Sequence, residues 1–317
     1  MAVSLARRLR EELARKPSPP ADKLLPAETA MRLVRDGDHV AVGGTLYSRT
    51  PMLLLFELLR QGRAGLTISR PLSCYEAELF LVGGLADGIV TSWVGIGLPW
   101  GISRVVRELV EKGRATYEEW SHLALGLRYK AGAMGVPFLP TFTMLGSDLA
   151  GLVDTHEMTC PFTGETVLLV PALNPDVALV HVHRADRFGN AQIDGYTHMD
   201  ADMVAAARTV IVSTEEVVDA ERITEGADAT VIPHFQVDAV VEAPMGAFPH
   251  ECYGRYEADF RHFDDYVAAV RRDGLAAVSA YLDRNVHRQP DFAAFLASFG
   301  RSRLEGQQAR AVELMGR

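Results

Sequence analysis

A short apolar strand, Val40-Ala41-Val42, empties into Gly43-Gly44, and a helix opens at Pro51 a few residues later. This unit constrains the fold more than any other stretch. Glycine lets the backbone approach a ligand closely, and proline is pre-shaped for a helix's first turn. A loop at the carboxyl end of a strand, beside a helix N-terminus, is where open α/β sheets hold anionic or carbonyl-bearing ligands. The loop contains neither Gly-x-Gly-x-x-Gly nor Gly-Lys-Ser/Thr, which excludes the nucleotide-binding fingerprints.

The same alternation continues along the chain. The pattern predicts a helix from about Pro26 to near Gly37, then a largely buried helix over Met52–Leu59 with Gly62 at the C-cap position. Leu66–Ser69 and Ile89–Val94 read as strands, Ser103–Lys112 as a helix stopped by Gly113, and roughly Glu118–Met134 as another helix. In the second half Asp176–His183, Thr209–Thr214 and Val237–Glu242 read as strands, Asp186–Asn190 as a turn and Met199–Arg208 as a helix. Such alternation predicts a three-layer α/β/α fold with a mostly parallel sheet. Leu5, Leu9 and Leu13 mark one face of an N-terminal helix, and Lys16-Pro17-Ser18-Pro19-Pro20 a linker. The expected organisation is residues 1–24 as helix and Pro-rich linker, 25–258 as the α/β domain, and 259–317 as a helical extension packed on that domain.

A net charge of −9 argues against a nucleic-acid partner and requires any phosphate-bearing ligand to find a local cationic pocket. Cys74, Cys160 and Cys252 are far apart and odd in number, as in a reducing compartment without disulfides or a zinc site. No apolar run approaches the ~20 residues of a membrane span, and Met1–Lys16 lacks the apolar segment of a signal peptide. A cytoplasmic location, with no membrane partner, is expected.

Candidate chemistry is sparse. His181 and His183 share one face of a strand, as a metal pair would, but no third ligand follows at a recognisable spacing, so they read as structural and no metal is expected. Glu118/Glu119 and Glu215/Glu216 are adjacent pairs whose side chains diverge, so neither forms an acid dyad. Glu76 and Glu78 have the spacing of a strand's solvent face, and His39 that of a strand edge. Gly146-Ser147-Asp148 is an ordinary turn rather than a nucleophile elbow, and the cysteines have no His-paired sequence context. The chain offers a ligand-cradling loop without a nucleophile.

Several blocks resemble the α (A-type) subunit of the class I CoA-transferases, and the glutaconate CoA-transferase branch in particular. They are Asp36–Thr45 through Pro51, Gly132–Pro140, Pro175–His181 with Ala185–Ala191, and Gln236–Pro244 continuing through Cys252-Tyr253-Gly254. Together they run in the family's order from about Pro26 to Asp259. The resemblance implies an α/β fold, transfer of CoA between an acyl-CoA and a carboxylic acid, and a heteromer (α2β2 or larger) with a homologous β subunit. It implies a nucleophilic glutamate on that β subunit, which forms an acyl anhydride and then a glutamyl-CoA thioester. Coenzyme A would enter only as a thioester substrate, with no permanent cofactor. The β-type motif Ser-Glu-Asn-Gly is not in this chain. On this reading Gly43, Gly44, Thr45, Ser48 and Arg49 form a substrate and oxyanion loop, with Gly43–Gly44 donating N–H groups and Arg49 pairing a substrate carboxylate or a CoA phosphate. Trp93, Gly97 and Trp100 would line an acyl pocket, and His122 is a weak acid–base candidate. Alternatives on the same scaffold are a ring-opening acyl-CoA hydrolase or an acyl-CoA decarboxylase; a ligand-binding α/β module is the non-enzymatic one.

Overall fold

The computed structural model describes Glu11, Ala14 and residues 20–316. Leu5, Leu9 and Leu13, which mark the expected N-terminal helix, lie outside these residues. Strands β1 (His39–Val42), β2 (Leu66–Ser73), β3 (Ala86–Gly97), β4 (Gly101–Ile102) and β5 (Thr116–Glu119) come first. β6 (Phe138–Thr141), β7 (His156–Thr159) and β8 (Thr166–Pro171) follow, then β9 (Val177–Val182), β10 (Arg184–Asp186) and β11 (Ala191–Gln192). The last are β12 (Thr209–Thr214), β13 (Val217–Val218), β14 (Thr230–Ile232) and β15 (Ala239–Glu242).

The main sheet has the order β15-β12-β9-β1-β2-β3-β4, with β5 also paired to β3; all neighbours are parallel except β4, which runs antiparallel to β3. This is the expected three-layer α/β/α architecture. Each strand feeds both faces. Val40 and Val42 enter one core with the helix Met52–Gln61, whereas Ala41 enters the other with the helix His122–Met134. That alternation is the period-2 geometry of a strand covered on both sides. Phe263, Tyr266, Tyr281, Phe292 and Phe295 from the C-terminal helices join the first core. Two smaller sheets, β13-β10-β11-β14 and β6-β8-β7, are attached beyond the main one.

Local signals explain most boundaries. Gly62 closes its helix at φ +65°, and Ser103 caps the helix Arg104–Glu111 by accepting from the Val106 N–H. Three expectations are corrected. The first helix covers only Ala27–Met31. Glu118 and Glu119 belong to β5, not to a helix, because that segment pairs with β3 and the helix begins only after Ser121, whose hydroxyl accepts from the Ala124 N–H. Glu76 and Glu78 are buried, not on a strand's solvent face: they open the helix Glu76–Val82. Arg70 Nη1 donates to Glu76 Oε1 at 2.5 Å, while Ser103 and Tyr266 both donate to Glu78. Alternation in sequence does not reveal partners on other elements, Tyr266 lying 188 residues from Glu78.

Candidate active site

β1 is the strand at which the chain reverses its direction of growth: β2, β3 and β5 lie to one side, β9, β12 and β15 to the other. In open parallel sheets that switch point opens a crevice at the carboxyl ends of the strands. Gly43 and Gly44 leave β1 there, beside the carboxyl end of β9 with His181 and His183.

The glycine loop is closed onto the protein. Gly43 N donates to Leu179 O at 2.8 Å, and Gly44 N donates to Asp200 Oδ1 at 2.8 Å. Thr45 and Ser48 exchange backbone hydrogen bonds at 3.0 and 2.8 Å. The two donors expected to face an acyl oxygen are therefore already used. A Cβ on Gly43 would lie 2.7 Å from Val180 Cγ1; one on Gly44, whose φ is +66°, would strike Ser48 O and lie 2.8 Å from Arg49 O. Both glycines allow close packing, and in this structure their N–H groups are bonded to protein.

Arg49 is neither a surface residue nor free to pair a substrate carboxylate. It is 1% exposed, and its Nη1 donates to Asp200 Oδ2 at 2.6 Å and His181 O at 3.0 Å. Its Nη2 donates to Tyr196 O at 2.7 Å. Gly44 and Arg49 thus fasten one loop of the crevice to another, residues 196–200. Non-glycine residues with left-handed φ gather around this junction: Leu46 (46°), Arg49 (51°), His198 (49°) and Met245 (55°). Such conformations persist only where the surroundings over-determine them, and functional sites are where they cluster.

A second buried network braces the crevice floor. His181 Nδ1 lies 2.9 Å from Ser213 Oγ, and Nε2 lies 2.7 Å from Glu215 Oε1. Tyr256 OH donates to Glu215 Oε1 at 2.5 Å, and Met245 N donates to Oε2 at 2.8 Å. Burial alone would raise the Glu215 pKa, but His181, Tyr256 and the Met245 N–H together hold it below the usual glutamate range. Glu215 and exposed Glu216 do diverge, as expected. Cys252 stands close to His181 and Glu215, and Cys74 close to Glu76 and His250, pairings that sequence distance concealed. Burial pushes both thiols well above the ordinary cysteine value, so neither is an activated nucleophile. In the Cys252 group the imidazole and carboxylate atoms are bonded to protein; in the Cys74 group Arg70 and the Cys74 N–H hold Glu76 Oε1, while Oε2 faces His250 Nε2 at 3.9 Å and neither makes a hydrogen bond.

The expected acyl pocket is not one pocket. Trp93 lines a cleft of about 340 Å³ with Val106, Val110 and Tyr117. Trp100 faces the other way, stacked on Phe260 (6.2 Å, 19°) with Nε1 donating to Asp264 Oδ1 at 2.7 Å, and so ties the β3–β4 hairpin to a C-terminal helix. Gly97, at φ +111°, is filled over by the Tyr47 ring, whose hydroxyl donates to Ile96 O. His122 is exposed on the first turn of its helix, 3.2 Å from Ser92 Oγ, and partial burial lowers its pKa.

His39, His183, His198 and His262 are each pulled down to about 4, chiefly by desolvation, and burial holds His250 well below its ordinary value. The unfolded chain binds more protons than the folded one between its ordinary histidine value near 6.5 and these lowered values. Stability is therefore expected to rise with pH from about 4 to about 6.5. Urea unfolding at half-unit pH steps would check this; a flat profile across that window would contradict it.

The Coenzyme A transferase family model matches residues 24–243, including the β1 loop, the crevice histidines and most of the sheet. The chain belongs to this family. As a CoA-transferase α-type chain it is 32% identical to the A-type subunit of glutaconate CoA-transferase from Acidaminococcus fermentans, over 86% of this chain and 90% of that one. The crystal structure of the A. fermentans enzyme superposes with a TM-score of 0.85 at 30% identity, covering 90% of this chain and 95% of that one. It is likewise 32% identical to the A-type subunit of 3-oxoadipate CoA-transferase from Pseudomonas knackmussii, over 87% of this chain and 98% of that one. A longer Archaeoglobus fulgidus protein of unassigned role is 36% identical over 94% of this chain, which spans 66% of its length. These matches do not favour the hydrolase, decarboxylase or non-enzymatic readings. Among the described residues no helix is long and apolar enough to cross a membrane.

Proposed function

We propose that this chain is the α subunit of a heteromeric transferase that moves CoA between an acyl-CoA and a dicarboxylic acid, and that a separately encoded β-type chain supplies the attacking glutamate. The α2β2 copy number and the cytoplasmic location belong to the same proposal. The relatives named for glutaconate and 3-oxoadipate, both dicarboxylates, support the substrate class.

One observation carries the division of labour. The carboxylates that brace the crevice, Asp200 and Glu215, have both oxygens bonded to protein. Neither can leave that network to attack a thioester without stranding a buried partner. The companion carboxylate would attack the acyl carbonyl and expel CoA thiolate, leaving a mixed anhydride. The thiolate would then attack the anhydride's glutamyl carbonyl, releasing the first acid and leaving a glutamyl-CoA thioester that the acceptor acid reopens by the same two steps. This chain's share is a rigid wall at the carboxyl edge. Gly43, Gly44, Thr45, Ser48 and Arg49 shape it, and Ser92 and His122 stand on its outer rim.

The test is an assay of the chain co-expressed with its companion, using an acyl-CoA with and without acceptor acid. Turnover that requires the acceptor is expected; thioester loss that ignores it would mean a hydrolase, and CO2 release with the thioester intact a decarboxylase.

A further inference from the structure

The loop fastened by Arg49 carries two side chains that the packing does not use. Tyr196 is 76% exposed, and its ring lies against that of His198 at 6.2 Å and 28°. Everything beneath them is fixed. Arg49 holds Tyr196 O, and Asp200, two residues past His198, is held by both Arg49 and Gly44. His198 itself sits at φ +49°, a left-handed conformation that costs energy for a residue with a Cβ. A buried ion pair and a strained backbone together present an aromatic and an imidazole at the crevice rim.

The local charge matters next. The two arginines that act on His198 are already paired with buried carboxylates, Arg49 with Asp200 and Arg70 with Glu76. In a chain of net charge −9 this is a spot where charge is balanced, so an anion is not repelled there. Desolvation, followed by Arg49, keeps the ring neutral. Its N–H and the Tyr196 hydroxyl are then neutral donors, which suits recognition of a carboxylate by hydrogen bonds rather than its trapping in an ion pair.

We propose that Tyr196 and His198 are the specificity-determining contacts for the far carboxylate of the dicarboxylic substrate, and that the Arg49–Asp200 pair is the positioning device that sets them in place. This rests on the transferase reading above.

The experiment uses the complex with its companion chain, acetyl-CoA as donor, and glutarate or butyrate as acceptor. His198→Ala is expected to raise KM for glutarate about 10-fold or more, the loss of one hydrogen bond to a charged group, with KM for butyrate changing less than about 2-fold. Tyr196→Phe is expected to do the same more weakly, and Arg49→Lys to lose discrimination between the two acids. Equal effects on both acceptors, no effect on either, or failure of the His198→Ala and Tyr196→Phe chains to co-elute with the companion would overturn the proposal, the last by making the pair a subunit contact. A second readout does not depend on turnover: the His198 ring proton followed by NMR in the wild-type complex. It should shift saturably with glutarate and far less with butyrate. If the wild-type complex transfers nothing, the transferase reading fails on its own, while the NMR titration still decides whether this pair binds a dicarboxylate.

Discussion

Gly44→Ala is expected to destabilise the chain by about 3 kcal/mol or more and to abolish transfer in the assembled enzyme. Two costs add. The residue sits at φ +66°, where a Cβ costs about 1–2 kcal/mol, and the new methyl would press on Ser48 O and the Arg49 carbonyl, backbone atoms that cannot swing aside. Relief would require moving the loop, and with it the hydrogen bond from Gly44 N to Asp200. Gly37→Ala is the control, since its φ is +80° but nothing lies within 4 Å of where its Cβ would sit, so only the conformational part applies. Urea unfolding of both variants measures the difference. A Gly44 variant no less stable than the Gly37 one would show that the loop is not packed as described.

Asp200→Ala is expected to cost about 3–5 kcal/mol, because it leaves the Arg49 guanidinium buried without its counter-charge and the Gly44 N–H without an acceptor. A surface pair of the same residue types would contribute at most about 1 kcal/mol. The magnitude alone therefore separates a structural clamp from an exposed ion pair. The reverse change, Arg49→Met, should be comparably harmful. The double variant should lose less than the sum of the two, since it strands no charge. Additive losses would contradict the clamp.

The sheet is legible in the chain because its strands are buried on both faces and its helices carry caps. Val177–Val180 is an unbroken apolar run, and Gly62, Ser103 and Gly113 punctuate what surrounds it. The glycine loop is legible as well, since only a tight approach of backbone to backbone requires Gly43-Gly44. Its purpose is not. Asp200 lies 156 residues from Gly44, and no local pattern marks one as the acceptor of the other. Glu78 and Glu215 escape a local reading for a related reason: a carboxylate's default is solvent, and the tyrosine and histidine that bond them arrive from distant segments, whereas Arg70 lies only six residues before Glu76 but on a different element. The Trp93–Gly97–Trp100 cluster fails differently. Trp93 lies on β3 but Trp100 lies in the β3–β4 turn, so closeness in sequence still splits them between a cleft and a helix contact.

The most direct test of the central claim is to locate the covalent acyl or CoA adduct. The chain alone and the chain with its companion are each incubated with an acyl-CoA, and the adduct is mapped by intact-mass and peptide mass spectrometry. The account predicts no adduct and no exchange for the isolated chain, and in the complex a CoA thioester on a companion glutamate alone. An adduct on any side chain of this polypeptide, formed as fast as the complex turns over, would contradict it.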